Sequence, residues 1–204
     1  MIEYITTYWY LFVILIAMIV LTVFVFNKAL TASAKRRQEM NEIMEKVKRA
    51  KELRDTYKEL SAEKIADAPA AALFEGIALN LEYTCQKAED TDSFYDSMTN
   101  GQKNVYSLYY LLSDAKETSL SAFFKSSYRP LTSDATNAAE EIFDSSAYKI
   151  IETMFSFYDE NGEGAPSDVT EIDRLNKEFE TIIKSKDLFA EVGGYIKKNS
   201  TEFI

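Results

Sequence analysis

Histidine is absent from the 204 residues and cysteine occurs once. Without histidine there is no His-based triad, no imidazole general base and no His-ligated metal site. A single cysteine, Cys85, cannot form an internal bridge. Basic excess is missing too. The net charge is −10 and the isoelectric point about 4.7, the opposite of what a nucleic-acid binder needs. Gly162 and Gly164 lack the Gly-Lys-Ser/Thr that completes a phosphate-binding loop, and no Gly-x-Ser-x-Gly elbow occurs. There is no Asp-x-Asp-x-Asp-Gly loop for calcium, and alternating strand patterns are lacking throughout.

What is present begins with an uncharged run. Residues 8–26 read YWYLFVILIAMIVLTVFVF, with Thr22 as the only polar interruption. As a helix the run is roughly 28 Å long, against a hydrocarbon core of about 30 Å. Tyr8, Trp9 and Tyr10 are placed as interfacial aromatics at one end and Lys28 stands at the other. Before the run the only charged side chain is Glu3; after it come Lys28, Lys35, Arg36 and Arg37. The positive-inside rule then places residues 1–7 outside, a transmembrane helix at 8–27, and the rest in the cytoplasm at the cell membrane. Ala32-Ser33-Ala34 has the form of a signal-peptide cleavage site, but the first residues carry no Lys or Arg and the apolar run is too long for a leader. A retained single-pass anchor is the better reading.

Charge then divides the chain. Residues 1–64 hold 11 Lys/Arg and 8 Asp/Glu; residues 65–204 hold 12 and 25, a net of −13. A basic juxtamembrane segment, 28–66, precedes an acidic domain, 67–204. An anionic leaflet attracts the first and repels the second. Over 35–66 Met40, Ile43, Val47, Ala50, Leu53, Tyr57 and Leu60 recur at helical spacing. Arg54 and Ser61 fall where strict heptads want apolar residues. The segment reads as a connecting helix packed on the domain, or as a short stalk giving a homo-oligomer through residues 36–61.

The domain is helical by pattern, with about six helices over about 130 residues, a size that supports one core. Asp67 with Pro69 opens a helix whose apolar face is Leu73, Phe74, Ile77, Ala78, Leu81 and Cys85, which places Cys85 in the core. Residues 87–101 read as a loop. Val105, Leu108, Tyr109 and Leu112 mark the next helix, and Leu120, Phe123 and Phe124 a short one. Pro130 breaks the chain, with Ser133 or Asp134 offering the next cap. NGEGAP at 161–166 is the strongest turn, and a capping box at Ser167 opens the clearest amphipathic helix, with Val169, Ile172, Leu175, Phe179, Ile182 and Ile183. Asp187 caps a last helix in which Gly193-Gly194 reads as a bend or stop.

Carboxylates are the only plentiful chemistry. Glu140, Glu141, Asp144, Asp159, Glu160 and Glu163 form a candidate acidic surface for a basic protein partner. As metal ligands they are weak, since neighbouring carboxylates on one helix point apart and the Glu-x-x-His pair of di-metal bundles is missing. No cofactor, metal or catalytic residue is expected, although a carboxylate-dependent hydrolase stays as an alternative. Asn199-Ser200-Thr201 matches a glycosylation sequon, which has no meaning on the cytoplasmic side. Tyr106, Tyr109, Tyr110, Phe123, Phe124, Phe155, Phe157 and Tyr158 are too closely spaced all to face one core. They are read as a protein-binding surface or as a core with hydroxyls at its rim.

Two stretches, GQKNVYSLYYLLSDAKETSLSAFFKSS (101–127) and DATNAAEEIFDSSAYKIIETMFSFYD (134–159), carry a further signal. Gly101, Val105, Tyr106 and Leu108, then Phe123, Phe124, Ser126 and Ser127, resemble the DNA-mimic-protein-like domain family. The family's Asn-Gly-Gly-Phe is replaced by residues 117–120, and Lys125 stands in place of Asn. The resemblance implies an all-helical acidic domain whose carboxylates stand in for phosphates toward a basic DNA-binding protein. A membrane anchor is not part of that pattern. The expectation is therefore an all-α chain: one transmembrane helix, a charged juxtamembrane helix, and a compact acidic domain that binds protein and performs no catalysis.

Overall fold

The structure, a computed structural model, describes residues 9–158 and 169–204, and at several positions between 9 and 34 the backbone alone. Tyr8, Asp159, Glu160, Glu163, the 161–166 turn and Ser167 lie outside the described residues, as do the side chains of Trp9 and Tyr10. The chain is all-helical, with no β-strand element among the described residues. It separates into two units, Met1–Arg49 and Ala50–Ile204.

The first unit is helical from Trp9, within α1 (Trp9–Thr56). Ile14, Leu15, Met18, Ile19, Leu21, Phe24 and Phe26 are each more than half exposed. Thr22 Oγ1 donates to the Met18 carbonyl at 2.7 Å, so its hydroxyl is satisfied within the helix. Lys28 Nζ lies 5.3 Å from the Phe24 ring centre. Among the described residues, no helix is long and apolar enough to cross a membrane. Met40, Ile43 and Val47, the first half of the expected stripe, are exposed.

The second half of that stripe belongs to the second unit. Tyr57 is buried, with Leu53 and Leu60 packed against the same core. The helix expected over 35–66 ends at Thr56, and Ser61, one of the two residues that broke the heptad pattern, caps a separate α2 (Ala62–Asp67) by accepting from Lys64 N–H at 3.2 Å. Asp67 thus closes a helix rather than opening one. The following α3 (Ala70–Lys87) has Pro69 at its N-cap with no side-chain cap.

Residues 87–101 are not one loop. Asp90 accepts from the backbone of Asp92 and Ser93 and nucleates α4 (Thr91–Ser97). Thr99 and Gln102 form a reciprocal capping box that starts α5 (Asn100–Glu117). Then come α6 (Leu120–Phe123), a 3-10 turn at Arg129–Leu131, α7 (Thr132–Ile142), α8 (Ser145–Ser156), α9 (Val169–Ser185) and α10 (Leu188–Lys198). Neither Ser133 nor Asp134 caps α7; Leu131 holds the N-cap position, and Asp134 instead accepts from the Tyr95 hydroxyl at 2.5 Å. Asp187 does cap α10, accepting from Ala190 N–H at 3.0 Å.

α5 is the axis of the unit. It touches α3, α6, α7, α9 and α10, and from Val105 to Leu112 it is buried on almost every side. Phe123 and Phe124 are both buried, because α6 ends between them and the two rings meet edge to face, 5.5 Å apart. α3 and α10 form the most extensive helix pair among the described residues. Gly193 and Gly194 do not stop α10, which runs through both. A Cβ on Gly193 would overlap the Ala70 carbonyl and sit 2.7 Å from its Cα, whereas nothing lies within 4 Å of one on Gly194.

One buried polar atom is unmatched at the end of α5. Asp114 Oδ2 has no hydrogen-bond partner among the described residues. Burial raises its pKa, the Glu117 charge adds to the rise, and a hydrogen bond from Ser126 opposes it. The folded state therefore holds this proton more tightly than the unfolded chain. Its stabilising effect is complete below the ordinary Asp value of 3.8 and is lost as pH rises through the folded value. Asp114→Asn is expected to raise the melting temperature at pH 7 and to have no advantage below about pH 3.5, read by circular dichroism across the range. A gain that persists unchanged at acid pH would trace the effect to packing instead.

Candidate functional site

The expected acidic surface is distributed unevenly. Glu140 and Glu141 are exposed at the end of α7. Glu141 Oε2 accepts from Asn104 Nδ2 at 2.9 Å, which ties it to α5. Asp144 is engaged within the fold. Its Oδ1 accepts from Ser146 and Ala147 N–H, both at 3.1 Å, capping α8, and its Oδ2 pairs with Lys186. The described residues hold no group of three acidic or cysteine side chains arranged to hold a metal ion.

A denser constellation joins α3 to α5. Tyr106 and Tyr110, one helical turn apart, both donate their hydroxyls to Glu82 Oε2, Tyr106 at 2.9 Å and Tyr110 by a shorter contact. Their rings meet edge to face at 5.1 Å, and Tyr110 stacks on Tyr128 at 3.4 Å. Tyr95 completes the group, 5.9 Å from Tyr106. Burial, followed by hydrogen bonding to Asp134, raises the Tyr95 pKa. Burial likewise raises Tyr106 and Tyr110, with the Glu82 carboxylate adding to the rise. Tyr109 is pushed up to about 12 by burial and by the charges of Glu75 and Glu82. These phenols are neutral at physiological pH, and Tyr95, Tyr106 and Tyr110 act as hydrogen-bond donors. Cys85 is buried beside them, as its helical position implied.

A cavity of about 420 Å³ lies on the other side of α3, with Arg54, Tyr57, Lys58, Asn80 and Tyr83 among its lining. Asn80 Nδ2 donates to the Arg54 carbonyl at 2.7 Å, and a Cβ on Gly76 would lie 2.9 Å from Tyr57 Cγ. Gly76, Asn80 and Tyr83 are thus the face of α3 that receives the end of α1. Exposed Tyr83 sits between Arg54, 4.1 Å from its ring centre, and Lys87, at 4.3 Å. The Lys87 ammonium beside it lowers its pKa. The Arg54 guanidinium is engaged by Asp55 at 2.9 Å, so this cleft offers no open fork for an anion.

No family model, curated protein or solved structure matches the chain. The likeness to DNA-mimic domains rests on the quoted residues alone, and most of them are structural. Val105, Tyr106, Leu108, Phe123 and Phe124 are all buried. Such residues report helix packing, not surface charge. The sequence showed the tyrosines of α5 as close neighbours, but not their shared acceptor. Glu82 lies 24 and 28 residues away, and no local pattern signals the pairing.

Proposed function

We propose that this chain is a single-pass membrane-anchored module whose acidic helical domain binds a basic protein on the cytoplasmic side. Charge segregation carries the reading: a net of +3 over residues 1–64 and −13 over 65–204. A field of that size steers a basic partner and repels nucleic acid and anionic lipid. The structure adds two supports. Ile14, Leu15, Met18, Ile19, Leu21, Phe24 and Phe26 are apolar and exposed on α1, and Thr22 closes its hydroxyl onto the helix, as a segment in lipid requires. Within the domain, Lys87, Lys103, Lys116 and Lys125 lie over aromatic rings. Glu140 and Glu141 are the exposed carboxylates that we assign to the partner surface.

The test uses the full-length protein in its native membranes. After an alkaline carbonate wash it should stay in the pellet, and in right-side-out vesicles residues 67–204 should resist added protease. Crosslinking at low salt should capture a basic protein that is lost at high salt and with Glu140→Gln/Glu141→Gln. Release by carbonate refutes the anchor. Capture that survives both high salt and the neutral variant refutes the electrostatic mode.

A further inference from the structure

The tyrosine constellation opens on a cavity of about 340 Å³, within the usual range for small-molecule sites, about 300–1,000 Å³. Tyr95, Tyr106 and Tyr128 contribute to its wall, with Cys85 and Leu131 as apolar lining. Asp92 and Asp96, both exposed on α4, also line it, and none of its lining residues is Lys or Arg. A cavity with aromatic walls and carboxylates as its only charges selects cations.

The hydrogen bonds sharpen that selection. Tyr95 donates to Asp134 and Tyr106 to Glu82. Donation to a carboxylate moves electron density toward the phenol oxygen and ring, which strengthens the negative ring face that attracts cations. Lys103 Nζ lies 5.3 Å from the Tyr95 ring centre, so that ring already makes one cation–π contact within the chain and the rings of Tyr106 and Tyr128 are left for a ligand. A primary ammonium could bond Thr91, Asp92, Asp96 or Ser127 in the lining, but against the ring faces, Cys85 and Leu131 it would surrender water without replacement. A quaternary ammonium has no N–H to satisfy, and its methyl groups suit apolar walls. We propose that this cavity binds a quaternary ammonium group, either as a free choline-type solute or as a trimethylated lysine side chain. The proposal stands independently of the partner reading above.

Calorimetric titration of the full chain in a maltoside detergent, which has no ammonium headgroup, tests it. Choline and tetramethylammonium should bind saturably, choline about tenfold more tightly than neohexyl alcohol, its uncharged carbon isostere. Tyr128→Phe keeps the ring and should bind within about threefold of the parent, while Tyr128→Leu should lose about tenfold. Asp96 is exposed, so Asp96→Asn tests the charge with little risk to folding, and it should weaken choline several-fold without changing neohexyl alcohol. A peptide bearing trimethyllysine, titrated beside its unmethylated form, separates the sources. A preference for the peptide over choline assigns a protein side chain, and the reverse assigns a solute. Absence of saturable binding, or equal affinity for choline and its neutral isostere, overturns the proposal.

Discussion

Gly193→Ala is expected to destabilise the domain by about 3 kcal/mol, while Gly194→Ala leaves it unchanged or adds about 0.5–1 kcal/mol. The two glycines are adjacent in α10, so helix propensity favours alanine at both. What separates them is the neighbour. The new methyl at Gly193 would meet three backbone atoms of Ala70 in the first turn of α3, and backbone cannot rotate aside as a side chain can. Relief requires α3 and α10 to separate along their shared face. The methyl at Gly194 meets nothing within 4 Å. Urea unfolding followed by circular dichroism reads both variants. Equal midpoints for the two would mean that the close approach of α10 to Ala70 is not there.

Glu82→Leu is the second large effect, a loss of about 2–4 kcal/mol. Tyr106 and Tyr110 are each only 6% exposed, so removing their common acceptor leaves two hydroxyls without partners and nearly without water. Each orphaned group costs about 1–3 kcal/mol. The triple variant Glu82→Leu/Tyr106→Phe/Tyr110→Phe removes donors and acceptor together, and should recover most of the loss. The stacked pair Tyr110–Tyr128 survives in that triple variant, because phenylalanine keeps the ring. A triple variant as unstable as Glu82→Leu alone would show that the leucine, not the missing acceptor, does the damage.

Helices with an apolar period were legible in sequence, since one face of a helix must turn inward whatever it packs on. Of the face expected for α9, Ile172, Leu175 and Phe179 are buried and Ile182 and Ile183 partly so, while Val169 at its first residue is exposed; Cys85 is buried with Leu73, Phe74, Ile77 and Ala78 on α3. α4 was not legible by that criterion. TDSFYDS has no apolar stripe and no fully buried residue, and its visible signal is the cap at Asp90. The Thr99-x-x-Gln102 box was likewise written in the sequence, where it straddles the end of the 87–101 stretch. Pairings between helices leave no such mark. The partners of Glu82 and the reason for Gly193 appear only once α3 has been set against α5 and α10. Of the acidic surface, the composition showed that charge exists, but not that Asp144 would be engaged by α8 and Lys186.

The closure of α3 against α10 also sets the order in which the domain assembles. The contact of Gly193 with Ala70 spans 123 positions of chain. Most helical folds of this size form from near neighbours and fold quickly, whereas a principal contact at such separation carries a large loop-closure entropy and slows the search. During synthesis α3 emerges early, and Phe74 waits for Phe189 on a helix made more than a hundred residues later. Until then the apolar face of α3 is a target for chaperones and for misassociation. Substitutions confined to α10 should therefore lower the yield of folded protein in cells more than they lower its equilibrium stability once purified.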